Sequence, residues 1–429
     1  MKKSARDDAW EKLFQKYDIS EEVSKNGIFK ITADQIKEFK EPRLMTYFDE
    51  YQSLPQVFKD KNLSLISVSR NEYLIGKFDL YAAIEYDEKT APISIERIDL
   101  ESLDPENLYN ESSAILFAFN SLLLKSALET DDLSFTLNGR MSSQNFSFNV
   151  NLKDMREGKK GVEIIVVSNS QIEIDAGFES EDRIFIVEAK NRYVEQINLR
   201  QLYYPYKLWS KKVSKEVVPV FLVYTDSTFY IFVCKFEDPD SINSLKVLNA
   251  SKYVIADERI TMDDVNEVFS NVNPKLCTNV TFPQADKFER ILDLMQLLFE
   301  NTTMTTEEIT QFFQFDVRQT SYYVTAASFL GIVERRARGV VSLTDLGKEI
   351  MRMPYRQKHK KIFSLIFEDV VFHDAYKYVK LNSDMPSKDF VANLIHRYYP
   401  PRKKEDSGTP NRRAGTVTSW LKWVLDQTE

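Results

Sequence analysis

The sequence predicts a mixed α/β protein in which a partly parallel sheet is flanked by helices and followed by a C-terminal helical region. Runs rich in β-branched and aromatic residues, typical of strands, fill the middle of the chain at 162–167, 171–178, 183–190, 217–225 and 228–236. The segment 191–212 has helical periodicity and separates two of these runs. A strand–helix–strand unit of this kind joins parallel strands. After about residue 285 the periodicity becomes helical.

Length and composition narrow the class of protein further. At about 150 residues per domain, 429 residues predict two or three domains. A hydrophobic content of 43%, with 29 Phe and 21 Tyr, excludes a disordered chain. Because no apolar run reaches membrane-spanning length and the N-terminus lacks a signal-peptide pattern, we expect a cytoplasmic protein without a membrane partner. Cys234 and Cys277 are then expected to be reduced thiols.

The net charge of −8 is unevenly distributed. Residues 281–429 carry 22 Lys and Arg against 19 Asp and Glu, whereas the rest of the chain carries 35 against 46. A protein that meets DNA through a local basic patch can be acidic overall, since the field near the patch governs binding. The charge balance therefore leaves a nucleic-acid partner open.

Charged residues close the apolar run at 183–190. Residues i and i+2 of a strand project from one face, so Glu188 and Lys190 should point the same way. A loop at 178–182 would bring Asp175, on the preceding strand, opposite Glu188. Phosphodiester hydrolysis with Mg²⁺ needs hard acidic ligands and a cation near the phosphate or the attacking water. Asp175 and Glu188 would be the metal ligands, with the Ala189 carbonyl as a third, and Lys190 would be the cation.

The segment IEIDAGFE…RIFIVEAK resembles the signature of the PD-(D/E)XK nuclease superfamily, with Ile174 where the name has proline. The resemblance implies a mixed sheet flanked by helices, Mg²⁺ as cofactor and Asp175, Glu188 and Lys190 as catalytic residues. It also implies a helix leading into the sheet, for which 111–128 is suitable, with Glu111 as a candidate extra metal ligand. Gln201 is similar to the glutamine of a glutamine–tyrosine motif in related exonucleases.

Two alternatives stay open at this site. Glu188 and Lys190 could form an ordinary salt bridge at a strand end. Glu173 shares a strand face with Asp175 and is its rival, although Asp175 lies nearer the turn.

The C-terminal region has the pattern of a winged helix: helices at 286–301, 305–313 and 316–331, then a hairpin at 331–344. In a winged helix the third helix reads base edges and the hairpin touches phosphates. The candidate DNA-binding residues are Arg318, Gln319, Ser321 and Tyr322 on the helix and Arg335, Arg336 and Arg338 on the wing. The alternative is a winged helix used for dimerisation or for packing on the core.

Together these patterns predict a type II restriction endonuclease. We expect an N-terminal accessory region at 1–100 that could contact DNA, a nuclease core at 101–245 and a linker at 246–284. A winged-helix DNA-binding region with C-terminal helices is expected at 285–429. Double-stranded DNA is the expected substrate, a homodimer the expected assembly, and a cognate DNA methyltransferase the expected companion. The alternatives are a repair or defence nuclease without sequence preference and a non-catalytic DNA-binding protein with a decayed nuclease core.

Overall fold

A computed structural model describes residues 5–86, 92–98, 100–103, 105, 108, 110–153, 161–255, 260–277, 280–313, 315–336, 339–400 and 409–428. The N-terminal part contains α1 (Ala5–Lys16), α2 (Ile19–Asn26), β1 (Ile28–Thr32), α3 (Ala33–Lys37), α4 (Pro42–Thr46), α5 (Gln56–Asp60), β2 (Ser64–Ser67) and β3 (Glu72–Gly76). Its three strands form an antiparallel sheet in the order β1-β3-β2. The helices pack a core around Trp10, Leu13 and Phe58.

The central part contains most of the strands. They are β4 (Tyr81–Ala83), β5 (Ile93–Ile95), β6 (Ser134–Ser142), β7 (Asn145–Asn151), β8 (Val162–Ser168), β9 (Gln171–Glu179), β10 (Arg183–Lys190), β11 (Gln196–Asn198), β12 (Glu216–Thr225), β13 (Thr228–Phe236) and β14 (Leu245–Ile255). The helices are α6 (Glu111–Asn120), α7 (Leu123–Ala127) and α8 (Leu199–Lys212). Seven strands form one sheet in the order β5-β14-β13-β12-β10-β9-β6. The predicted α/β class, a mixed sheet with helices, is confirmed.

Helices cover both faces of this sheet. β10 pairs in parallel with β12 across the α8 crossover, whereas β9 and β10 form an antiparallel hairpin. Side chains alternate along β10, so Val187 and Ala189 pack in the core below α6 and α7. The opposite face of the neighbouring strand β12 meets Leu202 and Leu208 of α8. The end of β10 therefore lies between two helical layers.

The structure differs from the sequence prediction in three elements. The linker expected at 246–284 is wrong in its first part, since β14 is hydrogen-bonded to β13 and belongs to the central sheet. The helix expected at 111–128 is divided, because Leu122 adopts a left-handed conformation (φ 63°) between α6 and α7. The helix at 191–212 begins only at Leu199, and it continues through Pro205 without dividing.

The C-terminal part is mainly helical. Its helices are α9 (Met262–Asn271), α10 (Glu289–Asn301), α11 (Thr306–Phe312), α12 (Val317–Phe329), α13 (Asp345–Met351), α14 (Tyr355–Phe367), α15 (Val370–Asn382), α16 (Lys388–Tyr398) and α17 (Thr409–Asp426). Strands β15 (Thr303–Thr305), β16 (Val333–Arg335) and β17 (Val340–Leu343) form an antiparallel sheet in the order β15-β17-β16.

Local sequence signals explain the helix ends here. The Thr305 hydroxyl accepts from the Glu308 amide and the Glu308 carboxylate accepts from the Thr305 amide, which caps α11. Asp316 caps α12 by accepting from the Gln319 amide. Gly331 follows α12 with φ 71°, a conformation that favours glycine. Among the described residues, no helix is both long and apolar enough to cross a membrane.

Candidate active site

The β9–β10 hairpin brings Asp175 to the end of β10. The register pairs Val187 with Ala176, so the next positions place Asp175 beside Glu188. The Ala189 amide donates a hydrogen bond of 2.8 Å to Asp175 Oδ2. This bond holds the carboxylate at the strand end.

Glu188 and Lys190 lie side by side, as their spacing along a strand requires. They are only 7% and 6% exposed. Lys190 Nζ donates a hydrogen bond of 2.6 Å to Glu188 Oε1. A buried ion pair is costly in free energy unless its remaining donors and acceptors are also satisfied, so the surroundings of this pair matter.

Gln201, on the first turn of α8, supplies one of those partners. Its Nε2 donates to Glu188 Oε1 at 2.5 Å. Its Oε1 is buried and accepts no hydrogen bond within the described part of the chain. One end of the Gln201 amide therefore fixes Glu188, while the other end is a buried acceptor that has no partner among the described residues.

Glu111 reaches the site from the first turn of α6. Its Oε1 lies 3.9 Å from Lys190 Nζ. The Asn110 side chain caps this helix by accepting from the Ser113 amide, which holds the first turn where Glu111 lies. Glu111, Asp175 and Glu188 therefore surround one ammonium, leaving the cluster with an excess of negative charge.

Burial and charge shift the protonation of this cluster. Burial raises the pKa of Glu188 to about 8 although Lys190 opposes the shift. Burial also raises the pKa of Asp175 and of Glu111, again against the attraction of Lys190. Burial by itself would lower the pKa of Lys190, but the carboxylates of Glu188 and Asp49 outweigh it and raise that pKa. The ammonium is therefore the stable charged group of the site.

The carboxylates of the cluster form a donor set that suits a divalent cation shared with a substrate phosphate. No group of three or more His, Cys, Asp or Glu side chains in the described ranges is arranged to hold a metal ion by itself. Mg²⁺ is commonly held by only one or two carboxylates together with substrate phosphate oxygens and water. Asp175 and Glu188, with Glu111 nearby, meet that smaller requirement, and their excess negative charge favours a cation.

Glu173, the rival of Asp175, has a different environment. It is exposed and pairs with Arg140 of β6 at 3.1 Å. It lines the same cavity as Asp175 but, within the described part of the chain, forms no hydrogen bond or ion pair with Glu188 or Lys190. The geometry therefore favours Asp175 as the partner of Glu188.

The cluster opens into a cavity of about 870 Å³ that all three parts of the chain line. The central part contributes the cluster, Arg140 and Arg200. The C-terminal part contributes Gln311 and Asp316. The N-terminal part contributes Arg70 and a larger set that sequence reasoning had not assigned to the site: Lys40, Arg43, Leu44, Tyr47, Asp49, Gln52 and Lys59.

A buried ion-pair cluster beside the cavity was also not predicted from the sequence. Arg192, two residues after Lys190, donates to Glu50 at 2.5 Å and lies 3.8 Å from Asp49. Both acids are buried. A charge directly after a buried strand was a usable sequence signal for Arg192, but its acidic partners lie about 140 residues away and no local pattern identifies them.

The residues predicted to contact DNA lie on α12 and the hairpin after it. Arg318 is exposed and donates to the Tyr322 hydroxyl at 2.5 Å. Gln319 donates to Gln52 of the N-terminal part at 3.2 Å. Ser321 accepts from Arg335, which also bonds Thr325, and exposed Arg336 pairs with Glu334. Arg338 lies outside the described residues.

Comparisons with known families give three matches. Residues 7–75, 76–254 and 290–429 are similar to the models of three domains of unknown function, DUF6996, DUF6997 and DUF7226 respectively. The first matched range ends at the end of β3, and the second ends at the end of β14. No curated protein and no solved structure matches the chain.

Proposed function

We propose that this chain is a Mg²⁺-dependent nuclease of the PD-(D/E)XK type that hydrolyses DNA phosphodiester bonds. One observation carries the proposal. Asp175, Glu188 and Lys190 converge at the end of a strand hairpin, beside a large polar cavity. Two carboxylates and one ammonium in this arrangement are what metal-assisted attack of water on a phosphate requires.

The surrounding elements support the proposal. The hairpin β9–β10 carries the acids, the crossover β10–α8–β12 is parallel, and α6 brings Glu111 from the other helical layer. This agrees with the helix and mixed sheet that the resemblance implies and with the crossover that the strand–helix–strand pattern predicts. A salt bridge with only a structural role would not need two further carboxylates and a cavity.

Each side chain then has a task. Asp175 and Glu188 would hold Mg²⁺, with the Ala189 carbonyl as a third ligand, and the metal would supply Lewis-acid activation of water and phosphate. Lys190 keeps its proton and presents positive charge toward the phosphate oxygens, where negative charge grows during the reaction. The Ala189 amide orients Asp175, and Gln201 orients Glu188.

Sequence-specific cutting by a type II restriction enzyme is the second part of the proposal. The order α10–β15–α11–α12–β16–β17 is that of a winged helix, and α11 and the start of α12 border the same cavity. A symmetric double-strand cut requires two active sites, so a homodimer on DNA belongs to this proposal. A cognate methyltransferase would protect the host sites.

The decisive experiment is incubation of the protein with a bacteriophage genome. We expect cutting with Mg²⁺, and binding without cutting with Ca²⁺, which accepts the same oxygen ligands but does not activate water as Mg²⁺ does. Discrete fragments would support restriction, and a smear would support a nuclease without sequence preference. Binding without cutting in Mg²⁺ would contradict the proposal and favour a non-catalytic DNA-binding protein.

Substitutions on α12 and on the wing are expected to differ in kind. Arg318→Ala or Gln319→Ala should cost about 1–3 kcal/mol of binding at the cognate site and reduce discrimination, because base-edge contacts carry specificity. Arg336→Gln should weaken binding to all sequences and lower the salt-dependence slope by roughly one. Arg336 is the better wing probe, since Arg335 also fastens the wing to α12. Binding to cognate and random duplexes across a salt series measures both effects.

An unchanged ratio of specific to random affinity in the α12 variants would contradict base reading by this helix. The ratio must be compared at equal salt, because the phosphate contribution varies with ionic strength.

A further inference from the structure

Two large apolar side chains stand exposed at the cavity. Leu44 is 58% exposed and Tyr47 is 55% exposed, and both line the cavity that contains Glu188 and Lys190. They are three positions apart along α4 and its end, so they share one side of this short helix. Exposed apolar side chains at a polar site suggest a contact with a ligand.

The neighbouring residues hold this segment firmly. Met45 is fully buried, and its carbonyl accepts a 2.9 Å hydrogen bond from the Trp10 indole. Phe48 is buried, and its carbonyl accepts a 2.9 Å bond from Asn198, the residue that caps α8. The two anchors lie beside the exposed pair, so the segment presents Leu44 and Tyr47 with little freedom to move. Rigid presentation lowers the entropic cost of a contact.

The charges around the pair indicate the chemistry of its ligand. Arg43 is exposed beside Leu44, and Lys40 lies three residues before Arg43, ahead of α4; both line the cavity. Tyr47 is close enough to Asp49, Lys190 and Glu188 for their charges to act on its hydroxyl. A phosphate suits the arginine and the lysine but gains nothing from a leucine or an aromatic ring. A nucleobase, with its flat apolar face, suits the ring and the leucine.

We propose that Tyr47 and Leu44 contact a nucleobase of the strand being cut, so that this strand enters the cavity with one base unstacked beside the scissile phosphate. This inference rests on the proposed nuclease function and narrows its substrate to strands that can release a base from the stack. The ring of Tyr47 stacks on the face of the base, and Leu44 packs beside this contact. The unstacking cost is lowest in single strands and at flexible steps of a duplex.

The test compares a fluorescein-labelled oligonucleotide with the same oligonucleotide made abasic around the cut position, each bound in Ca²⁺. Tyr47→Ala should weaken binding of the normal strand about 5- to 150-fold, the effect of one lost base stack. Binding of the abasic strand should be the same for Tyr47→Ala as for the wild type. Tyr47→Phe keeps the ring and should bind both strands as the wild type does.

Phe39→Ala is the matched control. Phe39 is an exposed aromatic residue of the same region, but it lies against Lys16 and does not line the cavity. Its replacement should leave both affinities unchanged. Equal losses by Tyr47→Ala on both strands, with Mg²⁺-dependent cutting by the wild type intact, would overturn the base contact alone. Absence of cutting by the wild type would overturn the proposed function and this inference with it.

Discussion

Replacement of Glu188, Asp175 or Lys190 by alanine is expected to lower the rate of Mg²⁺-dependent DNA cleavage by orders of magnitude while DNA binding persists. In the proposed function, Asp175 and Glu188 would provide the carboxylates for the metal, and Lys190 would provide the positive charge near the phosphate. Cleavage measured under single-turnover conditions, beside binding measured in Ca²⁺, separates the loss of chemistry from a loss of affinity.

Conservative variants are needed to distinguish a loss of chemistry from a loss of folding. Glu188→Ala leaves Lys190 buried without its closest partner, and breaking a buried ion pair typically costs about 3–5 kcal/mol of stability. Glu188→Gln keeps the volume and an acceptor for Lys190 and Gln201 but removes the charge. It should therefore fold, bind DNA and fail to cut.

Glu173→Gln is the matched control for these variants. Glu173 lies on the same strand as Asp175 and borders the same cavity, but it is exposed and pairs with Arg140. We expect this variant to cut close to the wild-type rate. A severe loss in Glu173→Gln, or near-normal cutting by Lys190→Ala, would contradict the assignment of the site.

Asp293→Asn is expected to stabilise the protein at alkaline pH by an amount that disappears in acid. Asp293, on α10, is half-buried where the C-terminal part meets the central sheet. It accepts hydrogen bonds from the Tyr193 amide at 2.9 Å and the Thr225 hydroxyl at 3.1 Å. Burial raises the pKa of Asp293 to about 7, so its charged form is unfavourable in the folded state.

The sign of the pH dependence follows from proton uptake. Between about pH 4, where Asp ionises in an unfolded chain, and about pH 7, the folded state holds a proton that the unfolded state has released. The free energy of unfolding therefore falls as pH rises through this window. Above pH 7, this shift in the pKa of Asp293 lowers the free energy of unfolding by an amount on the order of 4 kcal/mol. Asparagine can accept from Tyr193 and donate to Thr225 without charge, so the variant avoids this cost.

Urea denaturation of wild type and variant across this pH range measures the difference. Asp264→Asn is the control of opposite sign. Burial opposes ionisation of Asp264, but Arg356 and Lys360 bind its carboxylate and hold the pKa below its usual range. Its charge stabilises the fold above the unfolded pKa, so Asp264→Asn should destabilise at pH 8. Parallel pH profiles for Asp293→Asn and wild type would contradict the cost assigned to Asp293.

The sequence by itself determined the local structure around the site. An apolar run closing on two charges predicted β10, and residue alternation placed Glu188 and Lys190 on one face. Strand, helix and strand signals predicted the parallel pairing of β10 with β12. The helices predicted at 305–313 and 316–331 correspond to α11 and α12, whose starts are capped by Thr305 and Asp316. Backbone hydrogen bonding and side-chain direction repeat with short periods, so a few neighbouring residues suffice to predict them. The catalytic roles stay a prediction.

Only the tertiary structure decided how distant segments complete the cavity. Leu44 and Tyr47 follow a proline at the start of a short helix, and no periodicity indicates that they stay exposed beside Lys190. Gln319 meets Gln52 across 267 positions of the chain. β14 joins the central sheet although its segment is largely exposed, because its backbone pairs with β13. Such contacts depend on how packed elements are oriented in space, and the free energy that selects one packing is spread over many residues rather than contained in a local pattern.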